Sequence, residues 1–263
     1  MKITALVENK SNGDFKPKHG LSLYIETQNH KILFDLGPDV TLFENSKRVG
    51  INLSQVDTVI ISHGHTDHGG ALKQFLQINH KAKIYVQRKA FEKHYSKFLF
   101  LKVDVGLDAN LLSHGQIMLV DGNYKIDEEM YLFTVNSPPR YYSTANDALY
   151  TAGGKDDFSH EQNLVINGTK NVLIMGCGHS GIVNILEEAT KYQPEVCIGG
   201  YHLYNPITKK GVADSLLEEI AKQMEKYQIQ FYTCHCTGER AYEYLSGRVG
   251  DMRYLSCGTS IEM

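Results

Sequence analysis

The sequence predicts a layered α/β fold with its working residues at strand ends. Three observations carry this. Short apolar runs bounded by polar or glycine-bearing turns recur along the chain, among segments of helical periodicity. The apolar run Asp57-Thr58-Val59-Ile60-Ile61 reads as a buried strand and feeds Ser62-His63-Gly64-His65-Thr66-Asp67-His68-Gly69-Gly70, after which Ala71 to Leu76 has the pattern of a short helix. The same layout returns at Val172-Leu173-Ile174-Met175, which runs into Gly176-Cys177-Gly178-His179-Ser180-Gly181 and then a helix from Ile182 to Lys191. Sites in layered α/β folds are built at such strand ends.

Taken in order, Lys2 to Val7 and Leu21 to Ile25 read as strands, and Lys31 to Phe34 completes a hairpin-like pair. Val40 to Val49 reads as a helix ending near Gly50, and Lys83 to Gln87 as a further strand. Between Arg88 and Ser113 the pattern is poor. Phe91, Tyr95, Phe98, Phe100 and Leu101 recur at loosely helical spacing, which suits either a satellite helix or an apolar wall over the site. Gln116 to Val120, Met130 to Asn136 and Leu164 to Asn167 are expected in a second sheet. The long loop between the last two contains Ser137-Pro138-Pro139-Arg140-Tyr141-Tyr142, and long loops in compact domains are usually functional. Arg140 has the planar fork to meet an anionic group, although a solvated surface arginine is as good a reading. Glu195 to Ile198 and Ile229 to Thr233 read as strands. Asp214 to Tyr227 is an amphipathic helix with Leu216, Leu217, Ile220 and Met224 on one face. Glu239 to Leu245 starts a helix, and the segment from Tyr254 to Thr259 is expected to be a closing strand.

Composition bounds the function. The chain of 263 residues has no linker, charge run or repeat, so one domain over residues 1–263 is expected. A net charge of −3 argues against a nucleic-acid partner. No apolar stretch is long enough to span a membrane, and Glu8 comes too early for a secretory signal. Five cysteines, odd in number and scattered, suit a reduced cytoplasmic protein better than a disulfide framework.

The histidine cluster points to metal. His63 and His65 are two apart, so in an extended segment they point the same way. Asp67 and His68 fall where the chain turns, toward a second point in space. Neutral imidazole and carboxylate suit zinc, and also iron or manganese.

His63-x-His65-x-Asp67-His68 resembles the signature of the metallo-β-lactamase superfamily. Val7-Glu8-Asn9, His19-Gly20-Leu21-Ser22, Ile32 to Gly37, Gly176 to Asn184, Gly199-Gly200-Tyr201-His202-Leu203 and Cys234-His235-Cys236-Thr237-Gly238 resemble its dihydropterin synthase-like branch. The resemblance implies a four-layer αββα sandwich. It also implies two divalent metal ions, zinc above iron or manganese: one held by His63, His65 and His179, the other by Asp67, His68 and His235. It places His19 near the site mouth, for a role on substrate or behind a ligand, and Asp35 as a brace for the metal loop. Superfamily members put a bridging Asp or Cys about where this chain has His202. An imidazole has one lone pair per nitrogen and cannot bridge, so His202 is expected to be a terminal ligand or a proton donor. His160 stands where the branch has Asp, which leaves its role open. Cys177 reads as a small buried apolar side chain in preference to a soft ligand.

The expected function is hydrolysis of a small anionic substrate, phosphate-containing or ester-like, by a hydroxide activated between two metals, with Asp67 orienting it and taking its proton. Two alternatives stand beside it. The branch's namesake transferase joins a dihydropterin diphosphate to an aminobenzene ribofuranosyl phosphate, and would need a closed, aromatic-rich pocket. A ligand sensor with little turnover would need a sealed one.

Overall fold

The computed structural model describes residues 1–98, 100–136 and 140–263, so Ser137, Pro138 and Pro139 of the long loop lie outside the described residues. Two seven-stranded sheets face each other. The first runs in the order Ser260–Glu262, Lys2–Val7, Ser22–Glu26, Lys31–Phe34, Thr58–Ile60, Lys83–Gln87, Ile117–Val120. Its last four strands are mutually parallel and the others antiparallel. The second runs Met252–Tyr254, Gln230–Thr233, Val196–Gly199, Val172–Ile174, Asn163–Ile166, Met130–Phe133, Tyr124–Lys125, and its first four strands are parallel.

The layering follows from the period-two alternation of apolar side chains. Ile32 and Phe34 of one strand join Ile3, Leu23 and Ile60 of the first sheet and Leu164, Ile174 and Ile198 of the second in a single core between the sheets. Leu33, Val59 and Ile84 point the other way, onto the helices Thr41–Arg48 and Leu72–Ile78. On the far side, Val165, Leu173 and Cys197 meet the helices Ile182–Ala189, Asp214–Met224 and Glu239–Ser246. The result is helix, sheet, sheet, helix. Because both faces of each sheet are covered, a one-residue slip would exchange the two cores, which fixes the register.

Three expectations are corrected. Ile117–Val120 belongs to the first sheet, paired in parallel with Lys83–Gln87. The segment after Arg88 is not a satellite helix: His94–Phe98 and Leu101–Asp104 form an antiparallel hairpin, extended by Leu149–Thr151 and Gly154–Lys155 into a small sheet. The local period there is two, and Lys97 and Lys102 cover the rings of Tyr150 and Tyr95. Phe91 is buried under the outer helices, whereas Phe100 is fully exposed, so the two rings share no wall. The closing strand is two short ones, Met252–Tyr254 in the second sheet and Ser260–Glu262 in the first. Among the described residues no helix is long and apolar enough to cross a membrane.

Candidate metal centre

Every predicted ligand leaves the carboxyl end of a parallel strand or the turn just beyond it. Asp35 follows Lys31–Phe34, His63 to His68 follow Thr58–Ile60, and His179 follows Val172–Ile174. His202 follows Val196–Gly199, and His235 follows Gln230–Thr233. Asp35, His202 and His235 have φ of 60°, 46° and 52°, the left-handed region that non-glycine residues avoid at a cost of order 1–3 kcal/mol. These turns can only meet because Gly176 lacks a side chain: a Cβ there would lie 2.2 Å from Ser62 Oγ and 3.2 Å from His63 Nδ1.

The hydrogen bonds decide which nitrogen of each ring is free. The buried carboxylate of Asp35 accepts from Ser62 N and Ser62 Oγ, both at 2.7 Å, and from His68 Nδ1 at 2.6 Å. Ser62 Oγ in turn lies 2.8 Å from His63 Nδ1 and accepts its proton. His179 Nδ1 donates to Asn146 Oδ1 at 2.9 Å, and His235 Nδ1 donates to Asn9 Oδ1 at 2.9 Å. In all four rings the Nδ1 proton is spoken for, so Nε2 presents a lone pair.

Those lone pairs converge. His63 Nε2 and His179 Nε2 are 3.3 Å apart, and His63, His65 and His179 each place a donor atom within 4.8 Å of the others. His68 Nε2 lies 3.2 Å from His235 Nε2, and Asp67 Oδ2 lies 3.2 Å from His235 Nε2 and 3.8 Å from His68 Nε2. Donors about 2.0–2.1 Å from a tetrahedral metal are about 3.3–3.4 Å apart, so these separations match the edges of a coordination shell. His65 Nε2 is buried with no hydrogen-bond partner, an orphaned polar atom at the same place. Donor type, tautomer and spacing all fit a divalent metal. The six residues expected as two ligand triads are thus brought together as two adjoining sets.

Ionisation agrees with this for His63, His65 and His179. Burial first, and then the neighbouring rings, hold His63 and His179 well below the usual imidazole range; burial does the same for His65. Burial opposes charge on Asp67, but His68, with hydrogen bonds from His19 and His235, outweighs it and keeps the carboxyl well below its usual range. Burial would also lower His68, but the charges of Asp35 and Asp67 push it up to about 9, so in the metal-free chain its Nε2 also carries a proton, which a metal would have to displace.

The remaining predicted residues divide. His19 Nε2 is 3.3 Å from Asp67 Oδ2, at the rim of a cavity of about 470 Å³ that is lined by His65 and His179 of the one set and by Asp67 and His235 of the other. Burial alone would lower its pKa, but the bond and charge of Asp67 raise it. His202 lines the same cavity, its ring 4.1 Å from that of His179 and its Nδ1 buried without a partner. Arg140 is not brought to the site: its guanidinium pairs with Glu187 on the surface. The reason is local, because Asn184 of the adjacent helix donates to the Arg140 carbonyl and accepts from its amide, anchoring this end of the loop outside the cavity.

Several contributors carry no ligand signature of their own. Glu8 accepts the backbone N–H of His235 at 2.7 Å, and Glu161 those of His179 and Ser180 at 2.7 and 2.8 Å. His160 accepts from Gly64 N through Nδ1 at 2.9 Å and faces Asp156 Oδ2 with Nε2 at 3.2 Å; His94 Nδ1 approaches the same oxygen at 3.0 Å. This answers the question at position 160, where imidazole, backed by a buried carboxylate, holds the turn between His63 and His65. Glu8 lies inside a motif of the branch and Glu161 beside position 160, so both are within reach of sequence reasoning. Asn146 sits in no motif and leaves no signal.

The paired sandwich and the converging histidines define a layered α/β fold with clusters that could hold metal; the comparisons with known proteins name its family. A family model described as the metallo-beta-lactamase superfamily matches residues 16–186, and the chain belongs to that superfamily. It is 29% identical over 251 residues to an uncharacterized protein of Methanocaldococcus jannaschii, covering 93% of each chain. It is 28% identical over 272 residues to the same organism's 7,8-dihydropterin-6-methyl-4-(beta-D-ribofuranosyl)-aminobenzene-5'-phosphate synthase, covering 92% of this chain and 89% of that one. A solved structure described as a metal-dependent hydrolase of the beta-lactamase superfamily superposes with a TM-score of 0.83 at 26% identity, covering 100% of this chain and 99% of that one.

Proposed function

We propose that this chain is a two-metal hydrolase of a small anionic, phosphate-containing or ester-like substrate. The observation that carries the reading is the pair of adjoining donor sets opening on one cavity, with lone pairs already oriented by buried acceptors. His63, His65 and His179 would hold one divalent ion, zinc by donor chemistry, and Asp67, His68 and His235 the other. Bound there, the metals supply Lewis acidity and make water a nucleophile near neutral pH.

The chain's own residues do the rest. Asp67 belongs to the second set and faces the cavity, with its side chain 26% exposed, where it orients the attacking water and accepts its proton. His202 faces the cavity beside His179 and donates a proton to the leaving group. His19, 3.3 Å from Asp67, contacts the anionic portion of the substrate. No Lys or Arg is among the described residues lining the cavity, so recognition of negative charge falls to His19 and the metal sets.

The similarity to the synthase favours a second reading, transfer of a dihydropterin group to an aminobenzene acceptor. Such a reaction needs water kept out. Against it, no Phe, Tyr or Trp is among the described lining residues, and the His19 side chain at the rim is 46% exposed. The same openness weighs against a sealed sensor pocket.

Elemental analysis of chelator-free protein comes first, with Asp67→Ala alongside. About two metals per chain, and fewer in the variant, support the reading; none after zinc, iron or manganese is supplied overturns it. Incubation with a dihydropterin diphosphate and an aminobenzene acceptor then separates the reactions. Coupled product in place of hydrolysis makes the chain a transferase.

A further inference from the structure

We propose that Cys177 supplies a thiolate ligand shared by both metals, at the seam between the two donor sets. The inference rests on the two-metal reading above and concerns a side chain that residue type alone presents as apolar filler.

Position argues first. Cys177 is 2% exposed and lines the cavity, and its Sγ lies 3.1 Å from His68 Nε2. It is also within 4.8 Å of donor atoms on His63 and His179 of one set, and on His68 and His235 of the other. One sulfur is therefore within reach of four of the six ligating side chains, two from each set. With metal–nitrogen bonds of about 2.0–2.1 Å and a metal–sulfur bond of about 2.3 Å, neighbouring N and S donors of a tetrahedral shell sit about 3.5 Å apart. The sulfur stands close to that edge. Asp67, His68 and His235 supply three donors, and Cys177 makes the fourth.

Chemistry argues second. Beside a hydroxide between the metals, a protein bridge would hold the ions together, and among the described residues lining the cavity the one carboxylate, Asp67, lies beside His68 and His235 of the second set. An imidazole nitrogen has one lone pair and cannot serve two metals, whereas a thiolate sulfur has several. The neighbouring Cys236 is a poor candidate, because its Sγ accepts the N–H of His202 at 3.2 Å and donates to the carbonyl of Cys177 at 3.4 Å. Among the described residues Cys177 Sγ has no backbone partner; it meets the Cys236 side chain and His68. Its contact with His68 is at Nε2, the atom that a metal would take. Binding breaks the S–H bond and leaves the electron pair on sulfur for the metal. The proton passes to solvent through the cavity, with no change of oxidation state.

The test is zinc K-edge X-ray absorption on the full chain loaded to two zincs, with the zinc content measured on the same sample. The expected spectrum has about one sulfur per zinc at about 2.3 Å, kept in Cys236→Ser and lost in Cys177→Ser. Half a sulfur per zinc in wild type or in Cys236→Ser overturns sharing, and no sulfur at two bound zincs overturns ligation altogether. If Cys177→Ser fails to fold, the wild-type and Cys236→Ser spectra decide the matter alone. A chain that binds no zinc fails the two-metal reading instead, and the two failures are told apart by the metal content.

Discussion

Replacing Asp35 by Asn changes almost no volume but reverses a hydrogen bond, which makes it the sharpest perturbation of this centre. The carboxylate accepts from Ser62 N, Ser62 Oγ and His68 Nδ1, at 2.7, 2.7 and 2.6 Å, and is fully buried. In the Asp35→Asn variant the amide oxygen can still take the Ser62 N–H. The amide NH₂ then faces His68 Nδ1, which must become an acceptor. In the neutral ring, the form that binds metal, the proton then sits on Nε2, the nitrogen that lies 3.2 Å from His235 Nε2 and would bind metal. The lone pair needed for ligation is gone unless the variant breaks the new bond. A hydrogen bond to a charged group is worth about 1.5–3 kcal/mol, and loss of such a partner behind a ligand costs about 10–100-fold in metal affinity. Those ranges agree, since tenfold is about 1.4 kcal/mol. The Asp35→Asn chain should therefore bind its second metal about 10–100-fold more weakly, with the first metal much less affected. Two-site competition against a chromophoric chelator reads this directly, and near-UV circular dichroism of the metal-free variant checks that the fold is kept. A folded variant with an unchanged second dissociation constant would refute the tautomer argument.

Further expectations follow from the same geometry. Gly176→Ala forces a Cβ to 2.2 Å from Ser62 Oγ; overpacking of this kind costs about 1–3 kcal/mol. Its melting temperature should drop, and metal affinity with it, because Ser62 holds His63 and Asp35; a variant as stable and as metal-loaded as wild type would show that the two turns are not in contact. The metal-free chain should lose stability as pH falls below about 6.5, the unfolded imidazole value. The reason is that His63, His65 and His179 are held lower in the folded state, so the unfolded chain takes up more protons. His68 runs the other way: raised to about 9, its contribution is full below about 6.5 and is lost as pH rises through about 9. Melting in chelator should thus peak between these limits, and a flat profile from about pH 7 to about 5.5 contradicts the assignment. Arg140→Ala should leave kcat/KM on any hydrolysed substrate unchanged, since the guanidinium pairs with Glu187 away from the cavity; a large rise in KM would restore Arg140 to the substrate site.

Much of this centre is written locally. Apolar alternation marks the strands, and glycine and histidine in the turn after a strand mark where ligands leave the sheet. Lys2–Val7, Lys31–Phe34 and Lys83–Gln87 appear with the bounds the sequence predicts, and the six candidate ligands fall in motifs each confined to a few residues. What the sequence by itself could not determine is whatever depends on two distant segments meeting. Ile117–Val120 looks the same in either sheet, because period-two alternation says which faces are apolar but not which strand lies alongside. The aromatics after Arg88 suit a satellite helix or an apolar wall equally, and neither reading foresees the paired strands His94–Phe98 and Leu101–Asp104. The nitrogen each ring offers depends on acceptors far along the chain: Asn9 stands 226 residues from His235, and Asn146 stands 33 from His179. Cys177 is the clearest case. As a residue type it is a small buried side chain, and only the packing of one sheet's turns against the other's sets its sulfur between two groups of ligands. Residue type and periodicity determined which donors this protein owns; the meeting of the two sheets decided which lone pairs face each other.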